Sequence, residues 1–129
     1  MKKLLVFIAI FMATQLAGLC SSHLYLEKDY QNAWCSAYGG KTEVVLPDKA
    51  RADCVTSKYA IEFDFAHKWA ESIGQSLYYG EILGKQPGIV LIMEHGNADK
   101  KYLARVKEVA DQHNITVWTV TPEMLHRYN

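Results

Sequence analysis

No stretch of the 129-residue chain is a glycine-, proline- or serine-rich linker, and no segment repeats another. That excludes a solenoid or a string of tethered modules and leaves one domain with one core. An excess of charge of one sign is also missing, since 14 basic side chains face 14 acidic ones. Proteins that hold nucleic acid mainly by electrostatics are usually strongly basic, so a polyanion here must be met locally and weakly. No closely spaced Cys/His set suggests zinc and no glycine-rich loop suggests a phosphate cradle. No nucleophile-elbow pattern supports a Ser-His-Asp triad.

What is present is a globular composition, half apolar and 12% aromatic. The opening MKKLLVFIAIFMATQLAGLCSS sets two lysines before an apolar run, Leu4 to Ala13, followed by small and polar residues. This is the layout of a secretory signal, and the run is short for a membrane span. Residues 1–22 therefore read as a removed leader and residues 23–129 as a single domain, exported to the periplasm or secreted. On this reading no stable membrane span remains after processing; an uncleaved N-terminal anchor is the rival. LAGLC resembles a lipobox, but Leu19 stands where a small residue is expected, so a lipid anchor through Cys20 is the alternative to cleavage near Gly18 to Ser22. Removal of Lys2 and Lys3 leaves 12 basic against 14 acidic side chains, a net charge of −2. In an oxidising compartment Cys35 and Cys54 suggest one disulfide, against the alternative of two buried thiols.

Periodicity predicts the elements. SSHLYLEKDYQNAWCSAYGG reads as a helix stopped by Gly39-Gly40, and KTEVVLP and RADCVT as short strands around the PDKA turn. YAIEFDF alternates, with Tyr59, Ile61, Phe63 and Phe65 on one face and Ala60, Glu62 and Asp64 on the other. AHKWAESIGQSLYYGEILG has helical period, with an apolar stripe at Trp69, Ile73 and Leu77. GIVLIME reads as a strand buried on both faces, ADKKYLARVKEVADQHN as an amphipathic helix, ITVWTV as a strand and PEMLHRYN as a short terminal helix or tail. The predicted architecture is α/β: a mixed sheet, antiparallel first and parallel later, with helices on its faces.

The acids of RADCVTSKYAIEFDF are the chemical signal. Carboxylates among Ile, Val, Tyr and Phe cost free energy unless something pairs them. If the two strands pair through TSKY, Asp53, Glu62 and Asp64 converge on one face, and Mg²⁺ suits one or two carboxylates completed by water and substrate phosphate. The bland alternative is a set of solvated strand-edge acids. His67 and His95 read as loop or cap residues, and Trp34, Trp69 and Trp118 as packing residues rather than base-stacking ones.

RADC…AIEFD, preceded by GGKTE and followed by a helix bearing GQSLYY, resembles the PD-(D/E)XK nuclease-like superfamily over roughly residues 34–120, and in particular its small exported bacterial members. The resemblance implies a restriction-endonuclease-like αβββαβ core and hydrolysis of DNA or RNA with Mg²⁺ or Mn²⁺. It implies Asp53 and Glu62 as metal-binding acids, Glu43 as an auxiliary acid and Gln75 as the glutamine of the following helix. The motif departs from the pattern at one position, where Asp64 stands in place of lysine, which puts catalysis in question. Lys68 is the substitute expected from the helix, sharing a stripe with Ser72, Gln75 and Tyr79; Lys58, in the turn, is a weaker one. Cys54 follows Asp53 and so points to the opposite face, where Cys35 of the first helix can reach it. Two functions follow: a metal-dependent nuclease acting through Asp53, Glu62, Asp64, Lys68 and Gln75, or a nuclease-like module without catalysis that binds or scaffolds outside the cytoplasm.

Overall fold

The computed structural model describes residues 22–128; residues 1–21, where the leader and the Cys20 anchor were expected, lie outside the described residues. The elements run α1 (Glu27–Ala37), β1 (Lys41–Val45), β2 (Arg51–Val55), β3 (Tyr59–Phe65), α2 (Trp69–Leu83), β4 (Gln86–Ile92), α3 (Lys100–Gln112), β5 (Thr116–Val120) and α4 (Pro122–Tyr128). Short 3₁₀ turns at Ala66–Lys68 and Gly96–Asp99 lead into α2 and α3. The strands lie in sequence order in one sheet, with β1–β2 and β2–β3 antiparallel and β3–β4 and β4–β5 parallel. The connection lengths explain this: the short PDKA and TSKY turns can join only antiparallel neighbours, whereas a helical crossover permits parallel ones. The mixed α/β sheet is thus as expected from the sequence. Among the described residues no helix is long and apolar enough to cross a membrane.

Both faces of the sheet are covered. Tyr30 and Trp34 of α1 and Leu125 of α4 pack on Ile61, Phe63, Phe65, Val90 and Ile92. On the other side Val106 and Ala110 of α3, with Trp69, Ile73 and Leu77 of α2, pack on Ile89 and Leu91. The alternation of β3 and β4 therefore feeds two cores, and every residue of β3 from Ala60 to Phe65 is buried.

The expected apolar stripe of α2 packs on this second core, but it is not the most deeply buried side of the helix. The Trp69/Ile73/Leu77 stripe is only partly buried, whereas Ser72, Ser76, Tyr79 and Gly80 are the buried residues of this helix. The serine hydroxyls are satisfied internally, donating to the carbonyls of Trp69 (2.7 Å) and Ile73 (3.0 Å). A Cβ at Gly80 would come within 2.9 Å of the Lys85 carbonyl oxygen. Small residues are needed there because α2 lies close against the sheet, and the even-numbered side chains of β3, Glu62 and Asp64, fall in that narrow space.

Two ties fix α1. Cys35 and Cys54 form a disulfide with Cα atoms 5.8 Å apart, as expected, and a Cβ at Gly40 would sit 2.6 Å from both sulfurs. At the other end Glu94, just past β4 and with only 2% of its side chain exposed, gathers residues 23–25. Its carboxylate accepts from His23 Nδ1 (2.9 Å), the Leu24 and Tyr25 amides (3.2 and 3.3 Å) and the Tyr30 hydroxyl (2.7 Å). Burial alone would disfavour the charge on Glu94, but these hydrogen bonds outweigh it and hold its pKa below the usual carboxylate range. The segment leading into α1 is thereby pinned to the end of β4.

Candidate functional site

The β2–β3 ladder is short. Cys54 pairs with Ile61 and Val55 with Ala60, and from Asp53 onward the strands part. At that point the Asp53 side chain replaces the missing backbone acceptor, its Oδ2 accepting from the Phe63 amide at 2.8 Å. The strand face also changes here: Cys54 packs with the α1 core, whereas Ala52 packs with Leu46, Ala60 and Tyr79. On β1 the residue bracketed opposite Asp53 is Glu43, whose φ of +54° places a non-glycine residue in the left-handed region. Such a backbone costs on the order of 1–2 kcal/mol and persists only where surrounding contacts hold it. The irregularity in both strands leaves a gap in the strand pairing beside β3.

Into that gap point the acids. Glu62 and Asp64 are buried, 5% and 4% exposed. Glu62 lies within hydrogen-bonding reach of Asp53, and its Oε2 is a buried oxygen without a partner among the described residues. Burial raises the pKa of both, weakening them as acids, and for Glu62 the charge of Asp53 adds to the effect. Two carboxyls so close cannot both ionise readily, and they share a proton when no cation is present. Asp64 is pushed up to about 7 by burial and then by the charge of Glu27, with Lys68 opposing.

Glu27 was not legible as a site residue. It opens α1 in the position where an acid ordinarily just favours the helix dipole. Here burial, then the charge of Asp53, raise it to about 7, and Lys68 pulls it down. The signal that could have found it is a stripe, Glu27, Gln31 and Cys35 at i, i+4 and i+8 on one helix face. Gln31 Nε2 donates to the Asp53 carbonyl (2.7 Å) and to Glu43 Oε1 (3.3 Å), and Cys35 bonds to Cys54. The stripe runs along β2 and holds its irregular stretch.

The other expected residues divide. Lys68, in the 3₁₀ turn before α2, is exposed and acts on both Glu27 and Asp64, so it stands at the mouth of the gap. Gln75 is exposed and reaches the acids indirectly, donating to the Tyr79 hydroxyl at 3.4 Å. Burial and the neighbouring charges of Glu62 and Asp53 raise the pKa of the Tyr79 hydroxyl, which places that ring beside the pair. Glu43 is the exception to the expected ligand set. Its carboxylate is engaged by Gln31 and by Arg51 (3.6 Å), and among the described residues no three Asp, Glu, His or Cys side chains are arranged to share one metal ion. The anticipated Asp53/Glu62/Glu43 triad is therefore not assembled; the Asp53/Glu62 pair is. The orphaned Glu62 oxygen and the crowded carboxylates fit a hard divalent cation bound by two carboxylates and completed by water and phosphate.

The raised acids make stability pH-dependent. Glu27 and Asp64 bind their protons more tightly folded (about 7) than at their ordinary values of 4.5 and 3.8. The stability they contribute is present below pH 4 and is lost as pH rises from there through about 7. In EDTA the melting temperature is expected to be several degrees lower at pH 8 than at pH 5, and Asp64→Asn should flatten that fall. Thermal scans with an equal slope for both proteins would contradict the placement of Asp64.

Comparison with known proteins yields no matching family model, no matching curated protein and no matching solved structure.

Proposed function

We propose that the chain is an exported phosphodiester hydrolase with a restriction-endonuclease-like core, acting on DNA or RNA with Mg²⁺ or Mn²⁺ held by Asp53 and Glu62. The observation that carries this reading is the unpartnered Glu62 oxygen, buried beside Asp53, Asp64 and Glu27 in a gap opened by parting strands. Buried carboxylates crowded to this degree need protons or a cation, and at neutral pH a divalent ion is the stronger partner. When bound, such an ion neutralises phosphate charge and acidifies a water molecule.

The chain's own residues do the rest. The Phe63 amide orients Asp53, Gln31 holds the Asp53 backbone, and Tyr79 with Gln75 flanks Glu62. Asp64 and Glu27, raised to about 7, can accept a proton from an attacking water near neutral pH. Lys68 at the mouth offers its ammonium to the phosphate or the developing oxyanion. The Cys35–Cys54 bond supports an oxidising compartment, periplasmic or extracellular.

A second reading, a binding or scaffolding module without catalysis, is favoured by one feature: Asp64 occupies the motif's lysine position while Lys68 remains exposed. Incubation of the processed protein with plasmid, single-stranded DNA and RNA in Mn²⁺ separates the two. Cleavage that falls at least 100-fold in Asp53→Asn and Lys68→Ala is the expected result. Cleavage undiminished in Asp53→Asn overturns the assignment, and Mn²⁺ binding without cleavage of any substrate leaves the scaffold reading.

A further inference from the structure

Beyond the carboxyl ends of β3 and β4 lies a second cavity, of about 340 Å³, lined by His67, His95, Ala98, Asp99, Lys101 and Tyr102. In open α/β sheets the crevice outside the carboxyl ends of the strands is where ligands bind. None of the acid-gap residues lines it.

Its chemistry is opposite to that of the gap. Asp99, the one acid in the wall, is buried and occupied: its carboxylate accepts from the His95 amide at 2.9 Å and approaches His95 Nδ1 at 3.6 Å. That bond shapes the loop entering α3 and leaves the imidazoles of His67 and His95 and the Lys101 ammonium as the groups facing solvent. Lys101 stands over the Tyr102 ring at 4.9 Å, with Arg105 on the same ring at 5.8 Å. Lys68, which acts on Glu27 and Asp64, is the next residue in the chain after His67, and His67 lines this cavity.

We propose that this cavity binds a backbone phosphate of a nucleic-acid strand flanking the acid gap, with Lys101, His67 and His95 as its donors. The inference deepens the phosphodiester reading and rests on it for the identity of the strand. A phosphate seated there sets the direction of the strand, and Lys68 bridges the two subsites.

Fluorescence anisotropy of a labelled single strand and of the matching duplex, with the processed protein in EDTA, tests binding without hydrolysis. Lys101→Glu is expected to weaken binding about 10-fold, and the His67→Ala/His95→Ala pair at least 5-fold. Lys41→Glu, on the far edge strand, should change it less than 2-fold. Lys101→Ala should lower the dependence of log affinity on log salt by about one. The arm with the tighter wild-type binding identifies the strand form. Equal losses in Lys101→Glu and Lys41→Glu, or no binding of either probe, overturn the proposal. Binding that depends on Lys101 in a protein that cleaves nothing keeps this cavity and removes the hydrolytic reading. Cleavage unaffected by Lys101→Glu does the reverse.

Discussion

Saturating Mn²⁺ is expected to raise the melting temperature of the wild-type domain by about 10 °C, and Glu62→Gln is expected to abolish the rise. An ion at about 100 times its dissociation constant stabilises the folded state by about 2.7 kcal/mol, and each kcal/mol shifts a domain near 100 residues by about 4 °C. The variant isolates the cause. Glu62 presents a buried oxygen without a partner, so replacing the carboxyl by a neutral amide in EDTA costs little and should leave the melting temperature within a few degrees of wild type. A large loss of metal response without a large loss of intrinsic stability separates a ligand from a packing residue. Binding should also expel protons, because Glu27 and Asp64, raised to about 7, are partly protonated at neutral pH until a cation arrives. Titration calorimetry in buffers of different ionisation enthalpy measures that release, which should fall by pH 9 to the one proton that Asp53 and Glu62 share. The same Mn²⁺-induced rise in wild type and Glu62→Gln would remove Glu62 from the site.

Loss of the Cys35–Cys54 bond is expected to lower stability by about 3 kcal/mol, roughly 12 °C, given the separation of 19 residues between the cysteines. The effect should reach past stability. Asp53 precedes Cys54, and Gln31, one helical turn before Cys35, holds the Asp53 carbonyl. With the staple gone, the irregular stretch of β2 has one tie to α1 fewer, and Mn²⁺ affinity should fall about 10-fold even at temperatures where the Cys35→Ser/Cys54→Ser protein remains folded. Calorimetric melting and metal titration of that variant provide both numbers. A lowered melting temperature with unchanged Mn²⁺ affinity would make the disulfide a stability device alone. An unchanged melting temperature would mean that the bond adds nothing to the fold.

Much of this arrangement was legible before any coordinates. Strict alternation in YAIEFDF put Glu62 and Asp64 on one face of β3, and the short turns on either side of RADCVT dictated antiparallel neighbours. Cys54, one residue after Asp53, pointed to the helix that bears Cys35. The errors came where local pattern and long-range packing disagree. On α2 the apolar stripe does pack on the sheet, yet the most buried residues are Ser72, Ser76, Tyr79 and Gly80, because a helix lying close to a strand needs small residues more than apolar ones. Glu43 looked like a third ligand only through the resemblance, which implies an auxiliary acid there. A left-handed backbone at that residue, and the bonds from Gln31 and Arg51, give its carboxylate other partners. Glu94 showed no pattern at all, since its partners lie 64 to 71 residues away in sequence.

By itself the sequence determined the order of helices and strands and which strand neighbours are antiparallel, since these follow from periods of 2 and 3.6 residues and from loop length; it suggested the pairing of two cysteines without deciding it. Only the tertiary structure decided that β2 parts from β3 at Asp53, that Glu27 joins the acid group, and that His67, His95 and Lys101 line one cavity. Periodicity specifies the face of an element but not the distance to its neighbour. Burial and the mutual repulsion of carboxylates, which set their chemistry, depend on that distance.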